Sequence, residues 1–226
     1  MKHFNKKTAF ITGGASGIGL GMAKAFLNAG ANVAIGDINE EQLLICLLYT
    51  SDAADDTPCV ETPEERWRLV HEVNFMGPLN GINLFLPQML EHGEASHIVN
   101  TSSFSGIHGH GNQSAYGSSK FALVGMSEFL RNDLKDTNVS VSVLCPHVVD
   151  TNIISKLKAR VSADVLKMIN QMAVDPSTVG DQVLKAIIEK EFYIFCDGVH
   201  TREMLKARCD AMLSAMDRQF PEEEND

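Results

Sequence analysis

The sequence predicts an α/β protein with a doubly wound parallel sheet. Two patterns carry this prediction. Near the start of the chain, an apolar strand, a glycine-rich turn and an amphipathic helix are followed by a second apolar strand. Farther on, short apolar strands continue to alternate with long helical patterns, as in a Rossmann-like fold. We expect a single domain over residues 1–226, because the chain shows no internal repeat or second-domain linker.

Composition narrows the function classes. The chain has 44% hydrophobic and 21% charged residues and a net charge of -10. This negative charge, with no long lysine or arginine run to offset it, argues against nucleic acid or a membrane as the partner. The negative charge therefore favours a small molecule as the substrate. Five cysteines without a C-x-x-C pair, together with a polar N-terminal stretch, indicate the cytoplasm.

The first strand, predicted over Lys7–Thr12, leads into a glycine-rich turn and a helix that continues to Gly30. Glycines let the backbone turn tightly and approach a ligand closely, and the free amides at a helix start attract a pyrophosphate. A tight turn without a ligand is the plainer alternative. The cofactor-binding candidates in this turn are Gly13, Ser16, Gly17, Ile18 and Gly19.

The second strand, predicted over Asn32–Gly36, ends at Asp37, eighteen positions beyond Gly19. This is near the spacing expected of an acid that binds the ribose of a dinucleotide. Its carboxylate can accept hydrogen bonds from both hydroxyls of an adenosine ribose, and its charge would repel a 2′-phosphate. No lysine or arginine lies between Gly30 and Asp37 to offset that charge, so we expect NAD rather than NADP.

The predicted reaction centre follows a strand over His97–Ser102 and extends into a helix over Ala115–Leu134. Tyr116 and Lys120 are four positions apart on this helix, so both side chains leave the same face. The pKa of a tyrosine is ordinarily about 10, and an ammonium nearby favours the phenolate and lowers that pKa toward a useful range. Lys120 is therefore predicted to tune Tyr116 as the acid/base.

Ser103 closes the predicted strand, and the loop after it can bring the serine hydroxyl toward Tyr116. There it would offer a hydrogen bond to a substrate oxygen. An exposed tyrosine and lysine on an amphipathic helix, after a serine turn, are the alternative for this stretch alone.

These motifs occur together along the chain: Thr12-Gly13-x-x-x-Gly17-x-Gly19, Asn74 in Val-Asn-Phe-Met-Gly, Ser103, and Tyr116-x-x-x-Lys120. In this combination and order, the chain resembles the short-chain dehydrogenase/reductase family over about residues 7–151. The resemblance implies NAD(H)-dependent hydride transfer between a secondary alcohol and a ketone.

The resemblance also implies a role for each site residue. Tyr116 donates or removes the hydroxyl proton, while Lys120 lowers the pKa of Tyr116 and holds the nicotinamide ribose. Ser103 orients the substrate oxygen, and Asn74 supports a water relay behind Lys120. Thr151 matches a position that contacts the carboxamide or phosphate side of the cofactor. Tyr116, Lys120 and Thr151 thus join the cofactor-binding residues.

A largely apolar substrate pocket is indicated by five residues near the reaction centre: Phe104, Ile107, Val148, Val149 and Ile153. In the family, the helix predicted here over Glu64–Glu91 often pairs with the Tyr116 helix between subunits, so we expect a homodimer or homotetramer. The family usually has Pro-Gly where this chain has Pro146-His147, which is a departure in the turn after the strand over Val139–Cys145.

Three histidines near the reaction centre, His108, His110 and His147, are candidate metal ligands. A zinc site needs fixed ligands and supporting hydrogen bonds that this glycine loop does not indicate. We expect no metal, and histidines at the rim of a substrate pocket instead.

The last part of the chain predicts four further elements. They are a helical lid over Ile153–Met172, a helix over Pro176–Glu189, a strand over Phe192–Cys196 and a methionine-rich helix over Arg202–Met216.

Residues 43–63 are too few to form the strands and the helix that the family has at this point in the chain. This junction has 21 residues, whereas one βαβ unit takes about 30 or more. The third strand, the following helix and the fourth strand of the family's sheet have no counterpart, and the Asn-Asn-Ala-Gly motif that ends the fourth strand is absent. We therefore expect an incomplete sheet with unpaired backbone at its centre.

Within this junction, Cys46–Asp55 resembles a reading-frame translation of a transposase adapter used to prepare sequencing libraries. One hypothesis is that adapter sequence replaced the missing segment in a chimeric gene, and resequencing the locus tests it. The alternative is a natural deletion in which residues 43–49 extend a helix or serve as a strand. Either origin raises a second functional hypothesis, a catalytically impaired fragment or scaffold.

Overall fold

The computed structural model describes residues 4–37, 58–151, 154 and 162–221. Residues 43–57 of the junction, and Ile153 and residues 155–161 of the predicted lid, lie outside these ranges. No helix in the described ranges is both long enough and apolar enough to cross a membrane. The described helices and strands are β1 (Thr8–Thr12), α1 (Gly17–Asn28), β2 (Asn32–Gly36), α2 (Glu64–His71), α3 (Gly77–Glu91), β3 (Ser96–Thr101), α4 (Ser114–Asp133), β4 (Val139–Cys145), α5 (Ala163–Met172), α6 (Pro176–Glu189), β5 (Tyr193–Phe195) and α7 (His200–Gln219).

The strands form two parallel sheets. β1 pairs with β2, with Thr8 opposite Asn32 and Thr12 opposite Gly36. The second sheet has the order β3-β4-β5, and both of its pairings are parallel. The prediction of an α/β fold with parallel strands is therefore confirmed. In the part of the chain that the structure describes, no strand joins β1 to β3, which is consistent with the expected incomplete sheet.

Two apolar clusters cover opposite faces of β4, as expected for a parallel strand that is buried on both sides. Leu144 belongs to the first cluster, with Phe26 of α1 and Val183 of α6. Val143 belongs to the second cluster, with Val124 of α4. Leu144 and Val143 are both completely buried, so β4 is the centre of the core.

Close packing of α1 on α6 attaches the β1–β2 sheet to the rest of the molecule. A Cβ atom on Gly21 would clash with the main-chain carbonyl of Pro176, and one on Gly180 would clash with the carbonyl of Gly21. The two helix backbones therefore touch where both residues are glycine. Ile11 of β1 is buried in the same first cluster as Leu144, so this helix pair links the two sheets.

The helix predicted over Glu64–Glu91 contains a π-helical segment, Glu72–Met76, between α2 and α3. Short π segments inside α-helices frequently occur at functional sites. Most other predicted bounds agree with the structure within three residues, and Asn32–Gly36, Val139–Cys145 and Pro176–Glu189 agree fully. Of the predicted lid, the structure describes a helix from Ala163 to Met172.

Candidate active site

The structure brings Tyr116 and Lys120 together on one face of α4. The Lys120 Nζ lies 5.4 Å from the centroid of the Tyr116 ring. Lys120 is only 5% exposed, and its Nζ donates a hydrogen bond to the main-chain oxygen of Thr101 over 3.4 Å. Thr101 is the last residue of β3, so Lys120 joins the helix to the carboxyl end of that strand.

Ser103 follows β3 and caps a short 3-10 turn, Phe104–Gly106. Its Oγ accepts a hydrogen bond from the Ser105 amide over 3.2 Å, which leaves the hydroxyl proton available for donation. The preceding Ser102 donates its hydroxyl to the main-chain oxygen of Lys120 over 2.9 Å. The loop that carries Ser103 is therefore fixed directly onto the helix that carries Lys120.

Asn74 lies in the π-helical segment and is almost completely buried. Its Nδ2 donates a hydrogen bond to the Ser119 Oγ over 3.1 Å, and the Ser119 hydroxyl donates to the main-chain oxygen of Tyr116 over 2.6 Å. Sequence reasoning did not single out Ser119. Its only local signal is its position within the Tyr-x-x-x-Lys turn, directly before Lys120.

The glycine-rich turn connects β1 to α1. Gly13 and Gly17 have positive φ angles of 64° and 48°, which residues with a Cβ adopt at a cost. A Cβ atom on Gly19 would clash with the main-chain oxygen of Gly13. The turn therefore needs glycine at these positions to hold its shape.

The residues of this turn fit the pyrophosphate of a dinucleotide. Ser16 occupies the N-cap of α1 but makes no capping hydrogen bond through its side chain, so that side chain leaves the first amides of the helix to a ligand. The Thr151 methyl group would come within 2.9 Å of a Cβ placed on Gly17, so Thr151 lies against the turn. Asp37 follows β2 directly, and the Gly13 amide donates to the Gly36 oxygen over 2.8 Å, which puts the ends of β1 and β2 side by side.

An open cavity of about 1910 Å³, lined by described residues, contains most of the predicted site. Asp37 is not among its lining residues. Small-molecule pockets are usually about 300–1,000 Å³, and this cavity is larger because it continues between β1 and β3. The predicted site residues that line it are Gly13, Ser16, Gly17, Ile18, Gly19, Asn74, Ser103, Tyr116, Lys120 and Thr151.

The predicted apolar pocket is only partly seen. Val149 lines the cavity, whereas Phe104 is 2% exposed and is not a lining residue. The Phe104 ring instead lies beneath His108 and His147, with centroid distances of 5.7 Å and 5.3 Å. Ile153 lies outside the described residues.

His147 has an acidic neighbour that sequence reasoning missed. Its Nδ1 lies 3.8 Å from the Oδ2 of Asp197, and neither atom has a hydrogen-bond partner among the described residues. The other oxygen of Asp197 accepts the main-chain amides of Val199 and His200. Burial lowers the pKa of His147, although the Asp197 carboxylate acts in the opposite direction.

His147 and His110 line the cavity, and His110 shares a 3.0 Å hydrogen bond with the Ser105 hydroxyl. Within the described ranges, no group of three or more histidine, cysteine, aspartate or glutamate side chains is arranged to hold a metal ion.

Comparison with known proteins gives a family match for this architecture. A family model described as short chain dehydrogenase matches residues 7–48 and 44–162. A 1-deoxy-11-beta-hydroxypentalenate dehydrogenase from Streptomyces exfoliatus is 30% identical, over 85% of this chain and 84% of that protein. A 3beta-hydroxysteroid dehydrogenase 2 from Eggerthella lenta is 28% identical, over 65% of this chain and 72% of that protein. The apo form of LigO from Sphingobium sp. strain SYK-6 superposes with a TM-score of 0.81 at 24% identity, over 99% of this chain and 93% of that chain.

The alignments also show a length difference. The alignment to the Streptomyces exfoliatus protein runs over 235 positions, but 85% of 226 residues is about 192, so about 43 aligned positions have no counterpart here. The two pieces of the family match meet at residues 44–48. The length difference agrees with a missing segment, and the family match is divided at the junction.

Proposed function

The chain belongs to the short-chain dehydrogenase family, and from this premise we propose that it interconverts a secondary alcohol and a ketone with NAD(H). By family, it is an oxidoreductase that acts on a small molecule. One observation carries the finer proposal. The buried Lys120 Nζ lies 5.4 Å from the Tyr116 ring, in a cavity that also contains Ser103 and the glycine-rich turn.

In the proposed mechanism, the Tyr116 hydroxyl gives its proton to the substrate oxygen during ketone reduction and takes it back during alcohol oxidation. The Lys120 ammonium stabilises the phenolate, because a positive charge nearby favours the charged form of tyrosine. The Thr101 carbonyl holds that ammonium in place. The Ser103 hydroxyl donates a hydrogen bond to the substrate oxygen and keeps its proton. NAD, when bound, supplies the hydride acceptor at its nicotinamide ring.

We propose that Asn74 acts indirectly, by positioning the helix that carries Tyr116 and Lys120. Through Ser119 it fixes the turn that carries Tyr116 and Lys120. Asn74 also lines the cavity, and its proposed role there is to support a water relay behind Lys120.

For the cofactor, we propose that the amides of the glycine-rich turn bind the pyrophosphate and that Asp37 binds the adenosine ribose. The Asp37 charge favours NAD over NADP, because it would repel a 2′-phosphate. Tyr116 and Lys120 hold the nicotinamide ribose, and Thr151, which lies against the turn, contacts the carboxamide or phosphate side.

The proposed substrate is a largely apolar alcohol or carbonyl compound. The names of the Streptomyces and Eggerthella relatives refer to a hydroxypentalenate and a hydroxysteroid, both hydroxyl-bearing compounds. Val149 and Ile154 supply apolar lining beside Ser103.

We further propose a single cytoplasmic domain that assembles as a homodimer or homotetramer. Leu84 of α3 and Phe129 of α4 are 65% and 74% exposed, and they lie on the two helices that often pair between subunits in the family. Light scattering after gel filtration measures this state.

A catalytically impaired fragment is the second candidate function, and the break between β1 and β3 favours it. Fluorescence titration of the exact chain with NADH separates the two. Micromolar binding, together with turnover of an alcohol panel, is expected for the dehydrogenase. An absence of NADH binding would support the impaired fragment.

A further inference from the structure

His147 and Ser103 lie on neighbouring loops at the carboxyl end of the second sheet. The Phe104 amide donates to the Pro146 oxygen over 2.7 Å. This bond joins the residue after Ser103 to the residue before His147. Neighbouring strands lie about 4.8 Å apart, and both residues line the same cavity. One small molecule can therefore contact Ser103 and His147 at once.

Asp197 has a fixed position beside His147. The register of β4 and β5, extended by two residues, sets Asp197 opposite His147. The Asp197 Oδ1 accepts the main-chain amides of Val199 over 2.9 Å and His200 over 3.3 Å. Its main-chain oxygen accepts the Thr201 hydroxyl, and only 9% of its side chain is exposed. The carboxylate is therefore held at the start of α7, and its Oδ2 is the oxygen that faces His147.

This carboxylate selects one tautomer of the His147 ring. The Nδ1 of His147 lies 3.8 Å from the Asp197 Oδ2, and both atoms are buried without a hydrogen-bond partner among the described residues. A negative charge beside one ring nitrogen favours the tautomer that carries its proton there. The proton of the neutral ring therefore lies on Nδ1, and Nε2 is an acceptor.

The charge state of His147 fits this tautomer. Burial lowers the pKa of His147, and the charges of His110 and His200 act in the same direction. The Asp197 carboxylate opposes this shift but does not reverse it. The ring is therefore neutral at neutral pH, and its Nε2 keeps a lone pair.

The acceptor edge of the His147 ring faces the cavity. Its side chain is 25% exposed, and Nδ1 lies on the buried edge, so the exposed edge carries Nε2. The buried Phe104 ring supports it from below, with centroids 5.3 Å apart and an angle of 60° between the planes. The family usually has glycine at this position, so the acceptor is a feature of this chain and not of the common site.

We propose that His147, held by Asp197, determines specificity by accepting a hydrogen bond from a second hydroxyl of the substrate. The inference rests on the proposed function, because the first oxygen of that substrate is the one held by Tyr116 and Ser103. The substrate class is then a diol or a hydroxyketone. An anionic group is disfavoured at this position, because the Asp197 carboxylate beside the ring repels it.

Kinetics with paired alcohols test the second hydroxyl. The probes are cyclohexanol and the cyclohexanediols with the second hydroxyl on the neighbouring carbon, the next carbon or the opposite carbon. A site built to bind a hydroxyl discriminates against the analogue that lacks it, so kcat/KM for one diol should exceed that for cyclohexanol by about tenfold or more. The preference should lie mainly in KM, because the second hydroxyl does not react.

Three variants assign this preference to His147. His147→Phe keeps a ring against Phe104 but has no acceptor, and it should lower the diol-to-cyclohexanol ratio by about tenfold. His147→Gln retains an acceptor oxygen and should recover part of the ratio. His108→Phe is the matched control, because His108 stacks on the same Phe104 ring but is not among the residues that line the cavity. That variant should leave the ratio unchanged.

Proton–nitrogen correlation NMR of the histidine rings tests the site without NAD or turnover. The His147 signals, assigned by their loss in His147→Phe, should show the proton on Nδ1. Asp197→Asn keeps an oxygen for the amides at the start of α7, but its own amide would donate to Nδ1. That variant should therefore shift the proton to Nε2. In the unsubstituted chain, the favoured diol should move the Nε2 resonance, and cyclohexanol should not.

The two measurements separate this proposal from the proposed function. A His147 Nε2 signal that responds to a diol, in a chain that oxidises no alcohol, would support the hydroxyl site and contradict the dehydrogenase. Turnover with equal preference for cyclohexanol and every diol would overturn the hydroxyl site and leave the dehydrogenase intact. A proton on Nε2 in the unsubstituted chain, or an unchanged ratio in His147→Phe, would also overturn the hydroxyl site.

Discussion

The Asn74 side-chain amide donates to the hydroxyl of Ser119 over 3.1 Å, between residues 45 positions apart in the sequence. Both residues are almost completely buried. The bond ties the π-helical segment to the turn that carries Tyr116 and Lys120.

Breaking this bond from either side should destabilise the fold. Ser119→Ala leaves the buried amide of Asn74 without its acceptor, and we expect a loss of about 1–3 kcal/mol. Asn74→Ala should cost a similar amount, and the double variant should cost less than the sum of the two. Urea denaturation measures all three variants. Ser118→Ala, which removes a neighbouring hydroxyl that bonds Ala115 and His71 but not Asn74, is the matched control. Additive single costs would contradict the coupling.

Replacing Tyr116 with phenylalanine should abolish proton transfer while leaving the helix intact. General acid/base groups typically contribute about 10²–10⁴-fold to the rate, so kcat should fall by that range. The dissociation constant for NADH, measured by fluorescence, should change much less. A Tyr116→Phe variant with near-normal kcat, in preparations where the unsubstituted chain turns over, would remove Tyr116 from the mechanism.

Asp37 should set the choice between NAD and NADP. Asp37→Ala removes the charge that opposes a 2′-phosphate, and we expect the NADP-to-NAD affinity ratio to rise at least tenfold, which is about 1.4 kcal/mol. Asp37→Asn, which keeps the size of the side chain but loses the charge, separates repulsion from ribose binding. If neither variant gains affinity for NADP in parallel titrations, the role assigned to Asp37 is wrong.

His97 should make the fold sensitive to mild acid. Burial lowers its pKa to about 4, and the charge of Lys190 acts in the same direction. The unfolded chain, with a histidine pKa of about 6.5, binds the proton more readily. The free energy of unfolding is therefore highest above about pH 6.5. It falls as the pH drops toward about 4, by up to about 1.4 kcal/mol per pH unit.

Urea denaturation between pH 7 and pH 4.5 measures this loss. His97→Gln should flatten the pH dependence, because it removes the titrating group and keeps a hydrogen-bond donor for the Ser142 hydroxyl, which lies 2.7 Å from the His97 Nε2. His92→Gln, at an exposed position, should leave the slope unchanged. An unchanged slope in the His97 variant would contradict the assignment.

The contact between α1 and α6 should tolerate no added methyl group. A Cβ atom at Gly21 would clash with Pro176, so Gly21→Ala should destabilise the fold by about 1–3 kcal/mol. Gly125→Ala is the matched control, because a Cβ atom there meets nothing within 4 Å and lies inside α4. That variant should be more stable by about 0.5–1 kcal/mol. Thermal unfolding that ranks the two variants in the reverse order would show that α1 and α6 can separate freely.

Features that depend on a few neighbouring residues could be predicted from the sequence. Helical spacing alone places Tyr116 and Lys120 on one face, and the glycine positions define the turn before α1. The contact between His147 and Asp197 joins residues 50 positions apart, and no local pattern marks it. Such contacts depend on which strands become neighbours, and periodicity does not encode that information.

The exposure of Phe10 and the burial of Phe104 also depend on contacts that periodicity does not encode. The sequence predicts a buried strand at β1, but Phe10 is half-exposed, because the described residues place a strand on only one side of β1. Phe104 looks like a pocket residue in sequence, but the 3-10 turn directs it beneath two histidines.

The gap between β1 and β3 also divides the molecule for folding. Within the described residues, no ladder of main-chain hydrogen bonds runs from one sheet to the other, so side-chain contacts and the packing of α1 on α6 connect the two halves. The connections include the Lys7–Glu94 ion pair, the Phe10–Phe85 contact and the cluster around Ile11. Side-chain contacts of this kind couple the unfolding of the two sheets less strongly than a shared ladder of main-chain hydrogen bonds does. We therefore expect the β1–α1–β2 unit to open at a lower free energy than the sheet around β4.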